Sequence, residues 1–147
     1  MNLLTWKNLQ MFINNISFCV EFSDFAEGHY CKDFSKRYTK KQWIETRKTI
    51  IATLERAYAF QQTSRIDNIK YSQEHRIGIF KLDFAVAGTN FSPKKSGNRV
   101  IFSLNNDTGA IVILLVYGKD HCKKSQSETQ WIISQVKTNF PEYKFIR

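Results

Sequence analysis

The sequence lacks the signatures of most enzymes that work through a nucleotide, a metal or an activated serine. There is no G-x-x-x-x-G-K-[ST] loop, no H-E-x-x-H, no G-x-S-x-G and no G-x-G-x-x-G. His29, His75 and His121 are too scattered to suggest a metal site, and the carboxylates form no convincing pair. Cysteine is scarce. Cys19, Cys31 and Cys122 make an odd count with no CxxC spacing, which argues against a disulfide framework or a zinc site and for free thiols in a reducing, cytoplasmic setting. No apolar run approaches the ~20 residues of a membrane helix. The stretch from Met1 to Ile13 is apolar but broken by Lys7, Asn8 and Gln10, and it lacks the charged start and cleavage site of a signal peptide. The expectation is no metal, no cofactor and no membrane.

Negative charge is also short. Asp and Glu number 13 against 22 Lys and Arg, a formal charge of +9. Residues 1–73 carry 11 basic and 7 acidic side chains, and residues 74–147 carry 11 and 6. The excess therefore belongs to the folded body rather than to a tail. A small protein so charged attracts polyanions at long range, with nucleic acid, anionic lipid and an acidic protein all fitting. With 147 residues, 42% of them hydrophobic, the chain suits one compact domain.

Residues 16–22 are rich in strand formers and predict a first strand. Asp24 with Glu27 suits the start of a short helix running to about Tyr38, with Gly28 as its weak point. Thr39-Lys40-Lys41-Gln42 is a capping-box pattern. Trp43, Ile44, Ile50, Ile51, Leu54, Ala57 and Tyr58 follow at helical spacing, predicting an amphipathic helix of about 20 residues. Residues 61–73 are polar and read as a loop. From Glu74 the period changes to two: Ile77, Ile79 and Lys81 face one way, and Phe80, Leu82 and Phe84 the other. A long loop over 87–98 precedes a strand from Arg99 to Leu104. Asn105-Asn106-Asp107-Thr108-Gly109 signals a turn. Ala110 to Tyr117 is apolar throughout, as in a strand covered on both faces and central in its sheet. Ser127-Glu128-Thr129-Gln130 repeats the capping box before a last helix that Pro141 ends. The expected fold class is α+β: a small antiparallel sheet with helices packed on one face. Residues 1–15 are expected to form an N-terminal extension and 16–147 a single domain.

The candidate chemistry lies in cations on strands and their loops. Val100, Phe102 and Leu104 define one face of their strand, so Arg99 must point to the other. There it either pairs with a carboxylate, Asp83 or Asp107, or grips phosphate with two parallel hydrogen bonds. Lys81 falls in a neighbouring strand, Lys119 ends the central one, and Lys94 and Lys95 precede Arg99. An antiparallel sheet can bring these to one rim.

Lys95-Ser96-Gly97-Asn98-Arg99-Val100-Ile101-Phe102 resembles the K-S-G-G-x-R-V-I-Y type signature of HigB-like toxins in the RelE superfamily, with one residue rather than two between Gly and Arg. Ile113 to Lys119 resembles the strand that follows it there, Ser127-Glu128 the start of the final helix, and Phe80-Lys81-Leu82 the strand before the loop. The likeness covers roughly residues 74–140. It implies a cytoplasmic, ribosome-associated mRNA endoribonuclease, silenced by a cognate antitoxin and needing no metal. In such a reaction the RNA 2′-hydroxyl attacks its own phosphate, which calls for a proton acceptor, cations for the phosphorane and a proton donor. Carried onto this chain, the resemblance makes Arg99 the phosphate clamp. Lys81 and Lys119 become groups for charge stabilisation or proton transfer, and His121 an acid or base. Lys94, Lys95, Lys123 and Lys124 are candidates to bind nucleic acid. The chain departs from the pattern at Asp83, Asn98 and Asp120, and it has no Tyr in the 119–126 loop. Asp83 and the missing Tyr suit a second reading, a nucleic-acid- or ribosome-binding module without catalysis. A third is a ParE-like toxin that inhibits DNA gyrase.

Overall fold

The computed structural model describes residues 18–57 and 66–145. The expected extension at 1–15, and the part of the expected long helix beyond residue 57, lie outside the described residues; the helix itself ends at Glu55 with Arg56 as its C-cap. The elements in order are β1 (Cys19–Phe22), α1 (Asp24–Gly28), α2 (Cys31–Arg37), α3 (Lys40–Glu55), β2 (Ile66–Ser72), β3 (Ile77–Phe84), α4 (Pro93–Ser96), β4 (Asn98–Asn105), β5 (Ala110–Gly118) and α5 (Glu128–Asn139). The strands form one five-stranded sheet in the order β1-β5-β4-β3-β2. Neighbours from β2 to β5 are antiparallel, whereas β1 runs parallel to β5. The α+β class is as expected.

The helices do not share one face. Trp43, Ile50 and Leu54 of α3 and Phe34 of α2 pack with Phe80, Leu82, Val100, Phe102, Ile111 and Ile113. On the opposite face, Trp131, Ile132 and Val136 of α5 pack with Ile79, Ile101, Leu115 and Tyr117. The sheet is thus a middle layer, which corrects the expected one-sided arrangement. The cause is β4 itself, where Ile101 supplies an apolar side chain on the Arg99 face and needs cover there.

Local chemistry explains most boundaries. In α3 the Thr39 hydroxyl accepts from the Gln42 N–H (3.1 Å) while the Gln42 side-chain oxygen accepts from the Thr39 N–H (3.0 Å). Ser127 and Gln130 cap α5 in the same reciprocal way. The expected helix from Asp24 to Tyr38 is two helices, broken where Tyr30 turns to a φ of 40°. The side-chain oxygen of Asn105 accepts from the N–H groups of Asp107 (2.9 Å) and Thr108 (3.1 Å), closing the β4–β5 turn. The 87–98 loop contains the helical turn α4, with Pro93 at its start and Gly97 at its end with a φ of 78°. Residues 66–72, read as loop, form the edge strand β2, with an irregularity between Asn68 and Lys70. β5 is interior but second in order, so β4 is the middle strand. The register of β5 against β4 slips at Ile101/Phe102, which leaves Leu114 as an extra residue. Ile111 and Ile113 therefore join the α3 side, and Leu115 and Tyr117 the α5 side.

Candidate functional site: a buried ion network beneath a basic rim

The register lines up a row of polar groups on the α5 side of the sheet. Asp67 of β2 is opposite Lys81 of β3, Asp83 of β3 is opposite Arg99 of β4, and Arg99 is opposite Tyr117 of β5. Glu128, the first residue of α5, closes over them. Its Oε1 accepts from the Tyr117 hydroxyl (3.1 Å) and lies 3.4 Å from Arg99 Nε and 4.0 Å from Lys81 Nζ. Arg99 Nε is also 3.0 Å from Asp83 Oδ1, and Lys81 Nζ is 3.6 Å from Asp67 Oδ2.

Arg99 therefore does not stand on an open sheet face. Only 5% of its side chain is exposed, because α5 covers the face to which the strand alternation turns it. Of the two carboxylates expected for it, Asp83 is the partner, while Asp107 pairs with Arg76 at 2.8 Å. The Arg99–Asp83 contact is close but poorly aligned: neither Nε nor Asp83 Oδ1 makes a hydrogen bond of good geometry. One further donor, Nη1, bonds the Asn98 carbonyl (3.0 Å). Burial holds the Asp83 carboxyl above its ordinary value, against the pull of Arg99 and Lys81. Burial, with the neighbouring Glu128, raises the Tyr117 phenol, which stays protonated as the donor to Glu128.

The signature segment has a structural role of its own. Ser96 Oγ donates toward the Phe84 carbonyl (2.6 Å), with the Pro93 carbonyl also in reach (2.7 Å), and accepts from the Asn98 N–H (3.0 Å). Gly97 supplies the left-handed turn. Its carbonyl accepts from the Lys119 N–H (2.9 Å), which ties the loop before β4 to the end of β5. Lys94, Lys95 and Lys119 thereby meet at one end of the sheet, all exposed, with exposed Lys123 and Lys124 in the segment leading to α5. Of the residues expected at one rim, Arg99 and Lys81 lie in the ion network under α5, whereas Lys94, Lys95 and Lys119 are at the rim. Arg37 adds a cation there through its 2.8 Å bridge to Asp120, and that partner holds the Asp120 carboxyl below its ordinary value.

His121 lies at the same end with both ring nitrogens engaged. Nδ1 accepts from the Gly118 N–H (2.9 Å), so Nε2 carries the hydrogen and faces Asp33 Oδ2 (2.9 Å). The ring fastens α2 to the turn after β5, with Tyr30 against it at 4.6 Å between centroids. The expected residues thus divide into three groups. Arg99 and Lys81 meet at Glu128, the five lysines form the rim, and His121 is a clasp. Asp67, Tyr117 and Glu128 were not expected in the site. The phase of β5 hid Tyr117, and Glu128 was legible only as a residue of a capping box.

These features define an α+β protein with a sheet between two helical layers, a buried ion network on one face and a lysine rim at one end. No protein-family model matches the chain. No curated protein matches it. Among solved structures, it is similar to the RelE–RelB complex of the archaeon Pyrococcus horikoshii, with 11% identity and a TM-score of 0.49 over 72% of this chain and 99% of that one.

Proposed function

We propose that the protein is an RNA-directed toxin of the RelE/HigB kind. In this reading it acts in the cytoplasm on ribosome-bound mRNA and is held silent by a cognate antitoxin. The observation that carries the proposal is the convergence of Lys94, Lys95 and Lys119 at one end of the sheet, with Lys123 and Lys124 beside them. Exposed ammonium groups so grouped suit a phosphate backbone, and their attraction is independent of sequence. The resemblance of Lys95-Ser96-Gly97-Asn98-Arg99-Val100-Ile101-Phe102 to the toxin signature supports the same reading.

Cleavage proceeds by attack of the 2′-hydroxyl oxygen on the adjacent phosphorus. Its proton passes to a base, the 5′-oxygen leaves with a proton from an acid, and a 2′,3′-cyclic phosphate remains. Lys119 at the rim and the Lys81–Arg99 pair beneath it are the groups for the phosphorane charge. A second reading, binding without cleavage, is favoured by the enclosure of Arg99 between Asp83 and Glu128. Induced expression, with mapping of cellular mRNA ends, separates the two. The first reading expects growth arrest and cut messages, and the second arrest or ribosome binding with messages intact. Replacing Lys94, Lys95, Lys123 and Lys124 by Ala is expected to weaken RNA binding about tenfold or more at physiological salt. A wild type that binds no RNA and instead blocks DNA supercoiling overturns both in favour of a gyrase-directed toxin.

A further inference from the structure

The Glu128 carboxylate sits where an incoming anion would meet buried Arg99 and partly exposed Lys81. The Tyr117 hydroxyl donates to its Oε1 at 3.1 Å, and Arg99 Nε and Lys81 Nζ lie 3.4 and 4.0 Å from the same oxygen. Three features make that occupancy exchangeable. The first is the state of Arg99: its Nε is buried yet makes no well-formed hydrogen bond, so a charged donor stands under-used. The second is charge. Setting Glu128 aside, Lys81 has Asp67 and Arg99 has Asp83, so the group is neutral. Glu128 adds one negative charge to it. A phosphodiester also carries one, so exchanging one for the other leaves the local charge unchanged. A phosphomonoester, at about −1.5 to −2, overshoots. The third is mobility. Glu128 is the first residue of α5 and its side chain is 21% exposed, whereas Trp131, Ile132 and Val136 hold the helix body down. The side chain can swing outward while the helix stays docked.

We propose that Lys81, Arg99 and Tyr117 form a phosphodiester subsite that Glu128 occupies as an internal competitor, so that RNA gains it only by displacing that carboxylate. The inference rests on the RNA-directed reading above and adds to it a built-in restraint: the rim binds first, and Arg99 and Lys81 engage only once Glu128 has moved.

The test uses the full chain and a short single-stranded RNA. Glu128→Gln keeps an oxygen acceptor for Tyr117 and leaves the cluster neutral, so it is expected to fold. It should bind the RNA about tenfold more tightly than wild type, because the competent state no longer has to be freed. Glu142→Gln, beyond the other end of α5, changes the net charge equally and should bind as wild type does. The Arg99 Nε–H signal in the NMR spectrum should move on adding RNA, and less on adding inorganic phosphate. If the Glu128 variant fails to fold, the wild type decides: saturating RNA must shift both the Arg99 Nε–H and the Glu128 carboxylate carbon. Equal affinities for wild type and Glu128→Gln overturn the inference and leave the RNA-directed reading standing. So does a gain in affinity with Arg99 unmoved, or an Arg99 signal that responds to an acidic peptide but not to RNA. Absence of RNA binding by either protein defeats the reading itself.

Discussion

A guanidinium held between two carboxylates, with 5% of its side chain exposed, is an asymmetric element of stability. The pair adds little over a well-packed apolar substitute, but removing one member leaves a buried charge without a partner. Arg99→Ala strands Asp83 and Glu128 together. We expect it to destabilise the fold by about 3–5 kcal/mol, the range for breaking a buried pair. Urea denaturation measures this, and a loss under about 1 kcal/mol, ordinary for a surface site, contradicts the burial argument. The alternation of Val100, Phe102 and Leu104 was enough to place Arg99 on the other face of its strand. It said nothing of what covers that face, since the landing place of α5 is a tertiary fact. Asp83 offers a second test at this scale. Its carboxyl is raised above the ordinary 3.8 in the folded protein, so the folded state holds its proton longer than the unfolded chain does. Its contribution to stability is therefore fully present below about pH 4 and declines as pH climbs through the raised value. Asp83→Asn removes that decline. Its stability relative to wild type should improve steadily as pH rises from about 4, measured by denaturant midpoints, and a gap that stays constant or moves the other way refutes the assignment.

At the scale of the element, α5 does two jobs with different parts. Trp131, Ile132 and Val136 are buried at 2%, 0% and 0% exposure. Each such side chain contributes roughly 1.5–3 kcal/mol of burial, so the body of the helix is firmly seated. Its first turn depends on smaller terms: the Ser127–Gln130 box and the contacts of Glu128. Ser127→Ala should cost about 1 kcal/mol, typical of a lost cap. That loss should show as faster hydrogen exchange at Thr129 and Gln130, with Val136 unchanged. Uniform acceleration along α5 would mean that the helix opens as one unit. The capping boxes of α3 and α5 could be read directly from sequence because they are local. β2 could not. Asp67 and Asn68 are poor strand formers, and the strand holds its place as an edge, with Ile66 buried against the core and polar residues facing water. The slip at Leu114 was equally hidden, since every residue around it is apolar and no alternation marks the change of phase.

Over the whole molecule, the excess of 22 basic over 13 acidic residues is spread evenly along the sequence but is used unevenly in space. Part of it is neutralised internally: Arg47 meets Glu27, Arg76 meets Asp107, Lys81 meets Asp67, and Arg99 meets Asp83. Lys94, Lys95, Lys119, Lys123 and Lys124 carry no carboxylate partner within ion-pair distance among the described residues, and they gather at one end. Sequence placed Lys94, Lys95 and Lys119 at one rim because the segments bearing them flank β4 and β5, and named Lys123 and Lys124 only as nucleic-acid-binding candidates. It could not separate them from Arg99 and Lys81, whose neutralisation depends on strand register. The division sets a number. Counterion release from single-stranded RNA gives a slope of about −0.7 per neutralised phosphate in a plot of log affinity against log salt. Five engaged lysines predict a slope near −3.5, and engagement of Arg99 and Lys81 as well predicts about −5. Binding at the rim alone should give the shallower value, and binding that displaces Glu128 the steeper one. Replacing Lys123 and Lys124 by Ala should reduce the slope by about 1.4, and Lys48→Ala, on α3, should leave it unchanged. Fluorescence anisotropy with labelled RNA from 50 to 300 mM salt, roughly the range over which such losses reach several orders of magnitude, reads all three. A slope near zero would mean that the rim is not an RNA contact, and an equal loss on replacing Lys48 would mean that the molecule attracts RNA by net charge alone.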